Sequence, residues 1–524
     1  MNNEFDFIFA DVNTEIHCRQ CTPGGVDFNC LDIGKASTEL GVPWFNSPLM
    51  YKKGQLIETE IFDTADKNRC VGKMEDGIRV FVEGTAAVGD TVRAEVYKIK
   101  KRYLVAQLTE VVKFSNRRTE PRCKYFGICG GCKWQHLNYS EQLRVKRKQV
   151  ADALEHLGGF QSPEVGECIP AEETFGYRNK IDMDFTDRRY LTAAEINISE
   201  AALKKPLDFA LGFHAPGFFA KAIDIDHCDL ASEEMNLAVE TVRRFCRDRK
   251  LPIYSSFTHE GFLRNLVVRR GQRTGELMVN LITLTYDAAL MQELCADLRA
   301  ALGEKLTTFI NATTDRKNMV AFGDKEYVLC GAGSISDRFG EYTYHISPNS
   351  FFQTNTEQAE KLYNEILTAA RFQDSDTVYD LFCGTGSIAL FVAKHCKRVL
   401  GIELVEAAVA DAQKNAEEHG ATNCSFRQMD LMHFGKIRAE LEAVGLPDVV
   451  ITDPPRAGMH PKAVEMLREL APAVVIYVSC NPASLARDGR LLCEGGRYRL
   501  ISAQPVDLFP QTNHVESVAR FERA

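Results

Sequence analysis

Residues Asp380 to Leu390, DLFCGTGSIAL, join the end of a strand pattern to the start of a helical one, with two glycines at the joint. The strand pattern is VYDLF and the helical one SIALFVAKHC. Gly384 and Gly386 leave the amides of a helix start free to face a ligand with little steric obstruction. Downstream come strand RVLGIE, helix EAAVADAQKNAEEHG closing at Gly420, and strand CSFRQ, then strand DVVITD, helix PKAVEMLREL and strand AVVIYVS. This alternation predicts an α/β fold with an open, doubly wound, Rossmann-like sheet. Two last strands, about 498–507 and 515–521, have no helix between them and are expected as an antiparallel edge pair.

The glycine loop alone leaves the ligand open. GTGSIA satisfies the dinucleotide fingerprint GxGxxA, and Glu403 ends the next strand, where a carboxylate can accept both hydroxyls of a ribose. A nicotinamide dehydrogenase fits those residues. DPPRAG at 453–458 shifts the balance, because Asp453-Pro454-Pro455 makes a rigid backbone at the carboxyl edge of the sheet, where such folds bind ligands. An enzyme methylating an exocyclic amine would need an aromatic after the prolines to stack the base. Arg456 stands there, so another atom is the target.

Cys480, in YVSCNPASLARD (477–488), ends the next strand just before a helix beginning near Pro482. Amides at a helix start favour the nucleophilic thiolate; a buried structural cysteine is the plainer alternative. The Asn-Pro after the thiol, the shared edge and a polar cluster, PQTNHVE (510–516), favour a reactive role. Carbon 5 of uracil is too weak a nucleophile to take a methyl group directly. A thiolate adding to carbon 6 makes carbon 5 electron-rich, and a base must then remove the carbon 5 proton. Glu516 is the candidate base.

The chain has 524 residues, 26% charged and 45% hydrophobic, a globular balance long enough for two to four domains. The start, MNNEFDFIFADV, has no basic signal region, and no apolar run reaches the ~18 residues of a membrane span. A cytoplasmic protein is expected, and 17 cysteines then point to reduced thiols. The net charge is -9, yet residues 93–150 hold fifteen Lys and Arg against four Asp and Glu. Such a basic segment suits phosphates, or is merely a solvated face. Short alternating runs from Gly54 to about Val112 predict an OB-like β-barrel, and residues 170 to about 335 read as mixed α/β.

CKYFGICGGCKW places Cys123, Cys129 and Cys132 in a C-x5-C-x2-C run, which favours an iron-sulfur or zinc centre over chance. Trp134 and Tyr125, with Lys124, Lys133, Arg144, Lys146, Arg147 and Lys148, could stack and clamp an RNA loop; the aromatics could equally be core. Cys18, Cys21 and Cys30 form a weaker zinc pattern without a fourth ligand.

With SFFQTN (350–355), DLFCGTGSIAL, DPPRAG, VSCNPASLARD and PQTNHVE on one chain, the sequence resembles the bacterial RNA (uracil-5-)methyltransferases. The resemblance runs from about Gly54 to the C-terminus, to the TRAM-domain, iron-sulfur branch that modifies 23S ribosomal RNA. It implies an extension at 1–53, a TRAM barrel at 54–113, a central domain with the cluster at 120–335 and a class I methyltransferase domain at 340–524. Cys480 would be the covalent nucleophile, Glu516 the base and Asp453 a support for the uracil or the reacting centre. Gln353, Asp380, Gly384, Gly386, Glu403, Asp430 and Asp453 would hold S-adenosylmethionine, with Phe351 or Phe352 against the bases. Cys228, in AIDIDHCDL, would be the fourth ligand of a [4Fe-4S] cluster. The implied partner is 23S ribosomal RNA, bound by a monomer away from any membrane. A transfer-RNA uracil methyltransferase and a non-catalytic RNA-binding iron-sulfur protein are the competing readings.

Overall fold

Side chains alternate between buried and exposed along β1 (Leu56–Ala65), the period of a strand with one face on a core. Strands β2 (Arg69–Lys73), β3 (Arg79–Glu83), β4 (Thr91–Lys100) and β5 (Tyr103–Lys113) close a barrel with it in the order β1-β2-β3-β5-β4. Ile57, Ile61, Val80, Val82, Val92, Val96 and Leu104 fill its centre. β2 escaped the sequence patterns because RCVGK has too few apolar positions to show alternation. The computed structural model describes residues 51–524 apart from 66–67, 219, 318–320, 434–440 and 442–444. Cys18, Cys21 and Cys30 lie outside the described residues.

Helix α1 (Tyr139–Asp152) starts where the Asn138 side chain accepts from the Glu141 amide. Its end and the following turn bury Val150, Ala153 and Leu154 in one core with Tyr477, Leu485 and Phe521 of the C-terminal sheet. The middle of the chain adds β6 (Lys180–Thr186), β7 (Ala210–His214), β8 (Ala222–Asp224), α2 (Glu233–Asp248), β9 (Leu263–Arg270) and β10 (Leu277–Thr283). Helix α3 (Ala288–Leu302), β11 (Leu306–Thr313) and β12 (Lys325–Cys330) complete a seven-stranded sheet ordered β12-β11-β10-β9-β6-β7-β8, with both helices packed on it.

A hairpin, β13 (Ile335–Phe339) and β14 (Tyr342–Ile346), leads into the last sheet and shares its core. That region runs α4 (Thr356–Ala370), β15 (Thr377–Leu381), α5 (Ser387–Val392), β16 (Arg398–Glu403), α6 (Glu406–Glu418), β17 (Cys424–Gln428) and β18 (Val449–Thr452). It ends α7 (Pro461–Leu470), β19 (Val474–Ser479), α8 (Pro482–Cys493), β20 (Tyr498–Val506) and β21 (Glu516–Arg523). The order is β17-β16-β15-β18-β19-β21-β20, with β15 to β19 parallel. Helices α4, α5 and α6 bury apolar stripes on one face, and α1, α7 and α8 cover the other. β20 and β21 are antiparallel as expected, but only β20 is an edge, because β21 is inserted beside β19. Strand order reverses around β15 and β18, so a crevice opens at their carboxyl ends. Among the described residues no helix is long and apolar enough to cross a membrane.

Candidate active site

Five strand ends of the last sheet deliver polar groups to that crevice. After β15, Phe382 takes a left-handed φ of 61°, rare for a bulky residue, and the chain turns through Gly384 and Gly386. A Cβ on Gly386 would lie 2.8 Å from the Phe426 ring, so this glycine lets the loop seat on the sheet. A Cβ on Gly384, at φ 54°, would meet nothing within 4 Å, so that side of the loop is open. Glu403, ending β16, closes the loop: Oε2 accepts from the Gly384 amide at 3.1 Å, and Oε1 from the Leu404 and Val405 amides at 2.8 and 3.0 Å. Asp430, beyond β17, accepts from the Met432 amide at 2.9 Å.

Asp380 is buried; its Oδ2 accepts from the Ala389 amide at 3.0 Å, while Oδ1 has no partner among the described residues. Burial, then the Asp453 charge, holds this carboxyl well above its usual range. An orphaned buried acceptor in an acid-lined crevice, beside a glycine with an open side, fits a ligand carrying positive charge and hydrogen-bond donors. S-adenosylmethionine has both, as sulfonium and ammonium. Gln353 lies half-buried on the segment entering α4, its carbonyl accepting from Asn179 Nδ2 at 2.7 Å. Its neighbours divide: Phe352 is buried and stacks on Phe339, whereas Phe351 is 72% exposed beside Thr385 of the glycine loop.

Cys480 and Glu516 are brought together by sheet register. β21 runs antiparallel to β19 with Ser517 opposite Ser479, so the next residue of one strand and the first of the other meet at the crevice. Asp453 extends β18 beside them. Burial pushes Asp453 up to about 6, and burial with the Asp453 charge raises Glu516 well above the carboxylate range. The thiol of Cys480 is pushed up to about 11 by burial, then by Glu516 and Asp453, against the opposing Arg456. This corrects the expectation of a thiolate favoured by a helix start: the cap of α8 bonds inward, Asn481 Oδ1 accepting from the Ala483 amide at 3.2 Å, and two carboxyls face the sulfur.

Asn481 holds these groups in place together with Arg487, Asp488, Gln142 and Gln511, to which the sequence alone gave no role. Asn481 Nδ2 donates to the Arg456 carbonyl at 3.0 Å, locking the cysteine turn to the DPPR turn. Buried Asp488 accepts from Tyr477 Oη and the Met459 amide, both at 2.7 Å, while Arg487 donates to the Ala457 and Met459 carbonyls. The adjacent Arg-Asp in SLARD was the available signal. Before Glu516, the segment 507–514 is held by earlier parts of the chain. Lys146 and Asp507, both fully buried, pair at 2.5 Å. The Lys133 and Trp134 amides donate to the Gln511 carbonyl at 2.9 and 3.0 Å, and Gln142 exchanges two hydrogen bonds with Gln511.

Much of the positive charge of the basic segment is matched within the fold. Lys124, Arg144, Lys146, Arg147 and Lys148 each pair with a carboxylate. Tyr125 and Trp134 are buried, bonded to Asp226 and Asn68, so they belong to the core rather than to a stacking platform.

Cys123, Cys129, Cys132 and Cys228 line one cavity of about 470 Å³ between the CGGCKW turn and β8. Gln135 accepts from the Cys123 amide at 2.9 Å, and Asn236 accepts from the Cys228 amide at 2.8 Å. Burial raises all four thiols, Cys123 to about 11 and Cys132 to about 12. Among the described residues no three His, Cys, Asp or Glu side chains stand as a group that could hold a metal ion.

Comparison with known proteins gives this arrangement its context. The family described as tRNA (Uracil-5-)-methyltransferase matches residues 220–524, and the TRAM domain matches residues 52–109. An RNA methyltransferase of Chlorobaculum tepidum is 50% identical over 482 residues, 92% of this chain and 99% of that one. One from Porphyromonas gingivalis is 37% identical over 88% of this chain and 99% of its own. The crystal structure of Pyrococcus abyssi tRNA (uracil-54, C5)-methyltransferase with S-adenosyl-L-homocysteine is 30% identical. It covers 89% of this chain and all of that one, with a TM-score of 0.66. The chain belongs to the RNA uracil-5-methyltransferase family, with a TRAM domain ahead of an S-adenosylmethionine-dependent class I methyltransferase sheet.

Proposed function

We propose that the protein methylates carbon 5 of a uridine in 23S ribosomal RNA through a covalent bond from Cys480. The register that sets Cys480 beside Glu516, with Asp453 alongside, carries this reading. S-adenosylmethionine, when bound, supplies an activated methyl group. Asp380, Gly384, Gly386, Glu403, Asp430 and Asp453 hold it from the strand ends, with Gln353 reaching in from the segment before α4. Cys480 Sγ, its proton passing to an ionised crevice carboxylate such as Asp453, bonds to carbon 6 of uracil and drives the ring electrons toward carbon 5, which would take the methyl while the donor is left as S-adenosylhomocysteine. Glu516 then removes the carbon 5 proton, the ring double bond re-forms, and the sulfur leaves. A buried carboxyl raised above its usual range suits that step, because once ionised it is a stronger base. Exposed Phe351 can pack against a base.

The same reading assigns a [4Fe-4S] cluster to Cys123, Cys129, Cys132 and Cys228, supported by their shared cavity. When bound, it would tie the CGGCKW turn to β8; methyl transfer needs no electron from it. The division into 54–113, 120–335 and 340–524 belongs to this proposal.

Full-length protein with S-adenosylmethionine and RNA carrying 5-fluorouridine at the target should form a stable covalent complex, because fluorine cannot leave as a proton; Cys480→Ala should form none. No complex with active protein would refute the chemistry. A transfer-RNA target is the second reading, favoured by the Pyrococcus abyssi structure. Mass mapping of ribosomal and transfer RNA from cells with and without the gene decides between them.

A further inference from the structure

Lys133, Arg178 and Arg456 differ from the basic side chains around them. Their neighbours Lys124, Arg144, Lys146, Arg147 and Lys148 each have a carboxylate within 4 Å, whereas these three have none that close among the described residues; Asp182 acts on Arg178 and Glu516 on Arg456 only from farther off. The buried Nε of Arg178 has no hydrogen-bond partner there, and the side chain lies between the cysteine cavity, which it lines, and His514. Three separate elements bring them to one place. Lys133 is set by its amide on the Gln511 carbonyl at 2.9 Å, and Arg178 follows Tyr177, whose hydroxyl donates to the Pro510 carbonyl at 3.0 Å. Arg456 is fixed by Asn481, the residue after Cys480. His514 lies among them, two residues before Glu516. Its ring is depressed to about 4 by burial first, then by Arg456, Lys146, Arg178 and Lys133, and Lys146 is already matched by Asp507.

Unpaired cations are costly to gather beside one another unless an anion joins them. The crevice itself is acidic, so the anion does not belong at its floor. RNA brings negative charge on the backbone and a neutral pyrimidine to be drawn inward. We propose that Lys133, Arg178 and Arg456 form a crown at the mouth of the catalytic crevice that grips phosphates on both sides of the target uridine. The crown holds the backbone outside while the base descends to Cys480; it rests on the proposed attack only for where that base goes.

The test uses the full chain with Lys133→Gln, Arg178→Gln and Arg456→Gln, and an unmodified 23S ribosomal RNA transcript as probe. Each variant should raise KM for the transcript about tenfold and weaken filter retention equally, the size of a lost charged contact. Each should also flatten the dependence of log affinity on log salt by ~0.7, the mark of one single-strand phosphate contact. KM for S-adenosylmethionine and the iron content should stay as in the parent, and Lys133→Arg, Arg178→Lys and Arg456→Lys should recover most of the loss. Retention and salt slope unchanged in all three variants would overturn the crown. Loss of iron with RNA retention intact would overturn it too, because Lys133 and Arg178 would then serve the cysteine cavity. Retention does not depend on turnover. Parent protein that binds the transcript without methylating it counts against the 23S target, and the crown is then judged on retention alone.

Discussion

Iodoacetamide should label Cys480 of the free protein slowly at neutral pH. Burial and the two carboxyls push the thiol up to about 11, against about 8.5 for an ordinary cysteine, so its thiolate should be at least roughly 100-fold scarcer. Below about pH 11 the rate should climb tenfold per pH unit, with no plateau near 8.5. Glu516→Gln removes one opposing charge but leaves burial, the larger cause, so the gain at pH 7.5 should not exceed about tenfold. A bound sulfonium works in the other direction. A unit charge ~5 Å from sulfur at an effective dielectric of ~20 is worth ~3 kcal/mol, enough to cancel the rise. Protein loaded with S-adenosylmethionine should therefore label ~10- to 100-fold faster than protein loaded with the uncharged-sulfur product S-adenosylhomocysteine. The assay is a pH series of labelling times, read by mass spectrometry of the peptide containing Cys480. Labelling of the free protein with a midpoint near 8.5, or equal rates with both ligands, would refute the electrostatic account of the crevice.

Asp453 is held at about 6 in the folded protein against 3.8 for a free side chain, so folding favours its protonated form. That contribution is complete below the unfolded value and is lost as pH rises through about 6. Asp453→Asn should thus gain ~1–3 kcal/mol in urea unfolding at pH 8, with the gain shrinking toward pH 4, while methylation falls. Lys146→Met strands Asp507 in the core and should cost ~3–5 kcal/mol by the same measurement, most of it recovered in Lys146→Met/Asp507→Leu. Gly386→Ala collides with Phe426 and should lower the melting temperature sharply. Gly384→Ala meets no atom, so it should cost only the ~1–2 kcal/mol of a left-handed alanine, yet weaken donor binding by calorimetry.

The parallel sheet was legible because each of its strands is a short apolar run and each helix has its own start and stop, as Pro461, Pro482 and Gly420 show. The neighbourhood of Cys480 and Glu516 was suggested by motifs, but their contact depends on β21 entering antiparallel between β19 and β20, a pairing no local pattern encodes. Electrostatics misled in two places. A helix start suggested a reactive thiolate, and the carboxyls that oppose it arrive from other strands. The charge count of residues 93–150 suggested an open basic face, but acidic partners such as Asp226 and Asp507 come from far along the chain. Lys133 could be told from Lys146 only once those partners were placed.

The fastening of residues 507–514 limits how the protein can be dissected. A minimal fragment cut before residue 340 would retain every candidate catalytic and donor-binding motif. It would also expose Asp507 without its lysine, strip the Gln511 carbonyl of both donors and remove Tyr177 from Pro510. The segment leading to Glu516 is thus fastened by residues 133–177, and a fragment lacking them should lose the placement of Glu516 along with those bonds.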